Sequence, residues 1–366
     1  MDWALRASAW KRQVAVKKLD NLLAKMEMVV ANFFSDGIVF VGAEVFDRGV
    51  ASLGRADRRP LVEDWVAGCS ASCFSFVQML LRKCSWLRNP PLVCAHGGES
   101  SKAFPNTMAA YHIALDSQVD CIEIDVSRSS DGVLFALHDS YQKLSNMIIR
   151  VEAVRNFDSH NMGRDLQRIT GNSSSRVGYF STKEIKDLHR RSELNDINVP
   201  TVEDALKLVS SSVRQVVLDA KVGPPSYERG LAKDILSTIE RTQCKNCLVW
   251  AKSDSLVRDV IKLSSNVTVG YIVMNDPSTG ARTNLLRMRA AGVVGAYHRL
   301  IDDKLVKILH GRNRKVFAWT VDDEVSMRKM LYERVDAIVT GNSTLLQRLM
   351  QDVGTQCLEE GFSLSA

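Results

Sequence analysis

A chain of 366 residues carries 48 Lys plus Arg against 42 Asp plus Glu, a formal net charge of +6, with 45% hydrophobic and 25% charged residues. Such a composition belongs to an ordinary globular protein and excludes collagenous, coiled-coil and wholly disordered classes. The basic excess is mild and no Lys/Arg run has the density of a nucleic-acid tract, so nucleic acid is not an expected partner. The length suits one large α/β barrel of ~250 residues plus an extension.

From the start of the chain, Arg6, Lys11, Arg12, Lys17, Lys18 and Lys25 lie among apolar residues, with Leu19, Leu22, Leu23 and Met26 at helical spacing. This predicts a basic amphipathic helix over 1–27, open to a transit-peptide reading or to apposition on a membrane surface. Asp36 and Glu44 interrupt the apolar stretch 28–46, and the run 70–81 is short of the ~20 residues needed to span a bilayer, so no transmembrane helix is expected. Residues 47–60, with four arginines and two glycines, read as a polar linker.

Strand-like runs follow at 92–96, 121–126, 133–138, 215–221, 247–251, 267–274, 293–297, 315–321 and 336–340. Helical stretches separate most of them, at 107–117, 182–189, 202–210, 230–241, 255–263, 283–291, 303–311, 325–333 and 343–352. Repeated alternation of this kind calls for right-handed parallel crossovers, and the commonest closed solution is a TIM-type (β/α)8 barrel. The expected organisation is a mostly helical N-terminal extension at 1–90, a barrel at 91–352 and a tail at 353–366. The segment 140–163 breaks the rhythm and reads as an exposed insertion beside the site.

The chemistry concentrates between residues 91 and 139. Glu123 and Asp125 sit two apart in a β-type run, which places both carboxylates on one strand face. Flanked by Ile122, Ile124 and Val126, they would be costly to bury unpaired, and with Asp219 from a separate strand they would offer three oxygens to Mg²⁺ or Ca²⁺. His96 and His138 each close an apolar run and titrate in the range that acid–base chemistry needs. Lys221, two residues after Asp219, shares its face and is available to an anion as a point charge. Several of the eight cysteines, Cys94 and Cys121 among them, lie inside apolar runs. They read as small buried thiols, Cys244 and Cys247 read as loop thiols, and a reducing compartment is expected.

The blocks AHGG (95–98), FPNTMAAYHIAL (104–115), IEIDVSRSSDGVLFALHD (122–139), LQRITG (166–171), VPTVEDAL (199–206), LDAK (218–221), FAWTVDD (317–323) and VDAIVTGNSTLL (335–346) resemble, in order, those of the glycerophosphodiester phosphodiesterase family. The resemblance implies a TIM-type barrel and metal-dependent hydrolysis of a small glycerophosphodiester to sn-glycerol 3-phosphate and an alcohol. It further implies His96 and His138 as the catalytic pair, Glu123, Asp125 and Asp219 as ligands of the divalent cation, and Lys221, Trp319 and the Gly97 position as substrate contacts. Three departures stand out: Gly97 replaces the family's arginine, Pro105 precedes Asn106-Thr107 where glutamate is usual, and Asp219 replaces glutamate. They keep open a catalytically impaired member that binds phospholipid-derived ligands or a membrane, and a lysophospholipase D-type activity.

Overall fold

The computed structural model describes residues 79–138, 169–170, 172, 175–191, 199–275, 280 and 283–362. The expected helix at 1–27, the linker at 47–60 and the insertion at 140–163 lie outside the described residues.

Among the described residues nine strands occur in the order β1 (Leu92–His96), β2 (Cys121–Arg128), β3 (Leu134–Ala136), β4 (Gln215–Ala220), β5 (Cys247–Ala251), β6 (Thr268–Val273), β7 (Val293–Tyr297), β8 (Lys315–Trp319) and β9 (Ala337–Thr340). All but β3 pair in parallel with their neighbours, and β1 bonds to both β2 and β9, so eight strands close the expected barrel. Around them lie α1 (Met108–Asp116), α2 (Thr182–Arg191), α3 (Val202–Val209), α4 (Leu231–Arg241), α5 (Asp254–Leu263), α6 (Asp303–His310), α7 (Glu324–Glu333) and α8 (Ser343–Glu359). Short polar residues start the helices. Thr107, Ser253, Asp302, Asp323 and Asn342 each accept a backbone N–H at the helix start, and Thr201 with Asp204 forms a reciprocal capping box.

Strands buried on both faces need apolar residues at successive positions, and QVVLDA and CLVWA supply them. The two-residue period then sorts their faces. Val216, Leu218 and Ala220 pack toward the helices, as do Cys247, Val249 and Ala251, whereas Val217, Leu248, Trp250, Ile272 and Phe317 fill the barrel interior. Trp250 occupies so much of that space that a Cβ on Gly295 would stand 2.7 Å from its ring, which explains the glycine on β7.

The structure departs from the sequence expectations in four places. The run at 133–138 is no barrel strand: β3 folds back antiparallel on β2, with Val126 opposite Ala136, because Gly132 at φ +89° turns the chain. Residues 283–291 form turns instead of a helix. Asn284 accepts the Leu286 N–H at 2.9 Å, and Arg287 donates to the Ile272 carbonyl at 2.7 Å, so side chains compete with helical bonding. The last helix continues past 352 to Glu359, since Val353 and Cys357 still have apolar surface to bury.

The fourth departure concerns the cysteines. Cys84 joins Cys357, Cys94 joins Cys121 and Cys244 joins Cys247 as disulfides, which overturns the free-thiol reading. Parallel register sets Cys94 directly opposite Cys121, a turn closes the Cys244–Cys247 pair, and burial of α8 brings Cys357 to Cys84. Such bonds persist in oxidising surroundings, contrary to the reducing compartment expected from the sequence.

Candidate active site

The C-terminal ends of β1, β2 and β4 build the site, as this architecture favours. Parallel register pairs His96 with Glu123 across β1 and β2, and Asp125 with Asp219 across β2 and β4. Inward alternation brings the carboxylates together. Glu123, Asp125 and Asp219 are all buried, and each offers an oxygen within 4.8 Å of the others'. His138 reaches the same region by the β3 hairpin, whose end is tied to β2 by Leu137 N–H to the Asp125 carbonyl (3.2 Å) and Ser127 Oγ to the Leu137 carbonyl (2.7 Å).

Electrostatics differentiate the three carboxyls. Burial, and then the adjacent Asp125 charge, push Glu123 well above the usual carboxylate range. Burial would raise Asp125 as well, but Lys221 and then His138 and His96 outweigh it and hold that carboxyl low. Lys221 Nζ stands 2.6 Å from Asp125 Oδ1 and also pairs with Asp219. Its charge is therefore engaged by the carboxylates. Burial, then Lys221, push the His138 imidazole down to about 3, which keeps it neutral at pH 7.

The donor set fits a hard divalent cation. Three carboxylates gather around a single lysine, Asp219 Oδ1 is buried without a hydrogen-bond partner, and oxygen is the ligand that Mg²⁺ and Ca²⁺ prefer. Trp319 ends β8 with its ring 5.6 Å from that of Tyr297.

The Gly97 N–H is directed at Glu123 Oε2 (3.0 Å) and the Glu123 carbonyl (3.1 Å). Its φ of +62° suits glycine, and a Cβ there would stand 2.9 Å from Pro105 Cβ and 3.2 Å from Asn106 N.

Two residues escaped the sequence reading. Asn106, in the FPNT block, bonds to Asp125 through both ends of its amide. Lys252 follows β5 at the same end of the barrel, its Nζ 5.9 Å over the Trp319 ring. The two-residue period that makes Leu248 and Trp250 interior could have marked it.

The family model described as the Glycerophosphoryl diester phosphodiesterase family matches residues 96–345. The chain is 56% identical over 291 residues to the glycerophosphodiester phosphodiesterase GDPD4 of Arabidopsis thaliana, which covers 78% of this chain and 81% of that protein. It is 26% identical over 271 residues to a glycerophosphodiester phosphodiesterase of Caldanaerobacter subterraneus, covering 72% and 99% of the two chains. The solved structure of an Oleispira antarctica phosphodiesterase, in complex with the product sn-glycerol-3-phosphate, matches at a TM-score of 0.57 and 20% identity. It covers 71% of this chain and 97% of that one, a likeness of fold.

Proposed function

Because the chain belongs to the glycerophosphoryl diester phosphodiesterase family and is an enzyme of that kind, we propose that it hydrolyses glycerophosphodiesters in a metal-dependent reaction. The products are sn-glycerol 3-phosphate and an alcohol, and the substrates are deacylated phospholipids whose glycerol and phosphate are thereby recovered. The observation that carries this reading is the trio Glu123, Asp125 and Asp219 within 4.8 Å, beside strand ends that bear two histidines.

A divalent cation held by the three carboxylates would offset the phosphate charge and polarise a phosphoryl oxygen. The rest falls to the chain's own side chains. His96 and His138 divide the proton work, one taking the proton of the attacking group, either water or the substrate's own glycerol hydroxyl whose cyclic phosphate water then opens, and the other giving one to the departing alkoxide. Lys221 fixes Asp125 and Asp219 in one arrangement, and Trp319 offers an apolar wall to the glycerol carbons. The lost arginine at Gly97 favours no other class by itself, since the chain keeps both histidines and all three carboxylates.

The test is turnover of glycerophosphocholine with identification of both products. Release of sn-glycerol 3-phosphate and choline is expected, with His96→Ala and His138→Ala each slower by ~10²-fold or more. Lack of turnover by the unaltered protein with any glycerophosphodiester sinks the reading.

A further inference from the structure

We propose that Lys252 is an additional phosphate-binding side chain of this site, its ammonium meeting a non-bridging oxygen of the reacting phosphodiester. The proposal rests on the phosphodiesterase reading above and assigns a substrate contact within it.

The position follows from strand geometry. On β5, Cys247, Val249 and Ala251 face the helices while Leu248 and Trp250 face the barrel interior. The same period turns Lys252 inward at the mouth, and because Ala220 pairs with Ala251, it emerges beside Lys221. There its charge acts on Lys221, Asp219, Asp125 and His138. Its Nζ also lies 5.9 Å over the Trp319 ring, within cation–π range, which aims the ammonium across the mouth.

The charge balance gives that ammonium a task. Arg128 is paired with Asp234 and Arg287 with Asp254, while Lys221 lies between Asp125 and Asp219. Lys252, by contrast, has no carboxylate within ion-pair distance among the described residues, and its side chain is open to solvent. A phosphodiester monoanion entering the mouth would meet it directly. The Gly97 position cannot supply a guanidinium instead, because Pro105 and Asn106 occupy the space that a Cβ there would need. Lysine is suited to this role as a compact point charge on a flexible stem, without the two-point geometry of arginine.

The test measures binding of sn-glycerol 3-phosphate and of inorganic phosphate by calorimetry, alongside turnover of glycerophosphocholine and an anionic glycerophosphoinositol. Unaltered protein, Lys252→Met and Lys252→Arg are compared, with melting temperatures as a check on folding. A lost charge-assisted hydrogen bond should weaken both phosphate ligands by about 10- to 100-fold in Lys252→Met and raise KM for both substrates by a similar factor, more than it lowers kcat. Lys252→Arg should recover most of the loss. Unchanged phosphate affinity in a folded Lys252→Met overturns the proposal, as does a loss confined to the anionic head group. The binding arm stands apart from the activity: an inactive unaltered protein would sink the phosphodiesterase reading, whereas unchanged affinity in an active one sinks only the role of Lys252.

Discussion

Asn106 and Asp125 hold each other from both ends: Asn106 Nδ2 donates to Asp125 Oδ2 at 2.7 Å, and Asp125 N–H donates to Asn106 Oδ1 at 3.1 Å. The Tyr111 hydroxyl donates to the same Oδ1 at 3.3 Å, and both groups are buried, so the carboxylate is fixed in one orientation. Asn106 itself sits at φ +59°, a region that asparagine tolerates better than most residues.

Asn106→Ala should therefore loosen a carboxylate of the proposed cation site without touching the substrate. We expect cation affinity to weaken by ~10- to 100-fold, as for other partners that orient metal ligands, with activity partly restored at high Mg²⁺ or Ca²⁺. Activation curves against cation concentration check this. An unchanged half-activating concentration would show that Asp125 does not need its asparagine.

The pH response of the metal-free protein follows from His138. Its folded pKa is pushed down to about 3, chiefly by burial, from the ordinary 6.5. Between those values the unfolded chain binds the extra proton and the folded one does not, so stability is full above about pH 6.5 and falls as pH drops toward 3. Melting curves in EDTA from pH 7.5 to 4 should show this decline, and His138→Gln should flatten part of it. A variant that keeps the full slope would place the titration elsewhere.

Much of this site was legible in the sequence because a two-residue period needs only a strand to become a face. Glu123 with Asp125, and Asp219 with Lys221, share a face on that basis, and the three carboxyls and the lysine lie together. Long-range register was not legible. Cys94 meets Cys121 only because β1 and β2 are neighbours in the closed barrel, and Cys84 meets Cys357 only because α8 runs further than its apolar spacing suggested. Lys252 was legible in principle by the two-residue period of β5, but which of its faces is interior is settled by Trp250 packing under Gly295. The turns at 283–291 were missed because the bonds that oppose a helix there come from Arg287 and Asn284 side chains.

The Cys84–Cys357 bond closes a loop of sequence separation 273, tying the segment before β1 to the final turns of α8. Removing such a link typically costs about 2–4 kcal/mol. Cys84→Ser should then melt on the order of 5–10 °C below the unaltered protein under non-reducing conditions. Reductant, which opens the same bonds in both proteins, should bring the two melting temperatures together. Equal melting temperatures without reductant, or free Cys84 and Cys357 by peptide mapping, would contradict the pairing.

If Glu123, Asp125 and Asp219 hold a divalent cation on which hydrolysis depends, a cation titration of EDTA-treated protein reads that dependence. With glycerophosphocholine as substrate, turnover should be absent in EDTA and return as Mg²⁺ or Ca²⁺ is added. Asp219→Ala should demand ~10-fold more cation or more, because one of three oxygen ligands is gone. Full turnover in EDTA, or an Asp219→Ala curve that overlies that of the unaltered protein, would contradict it.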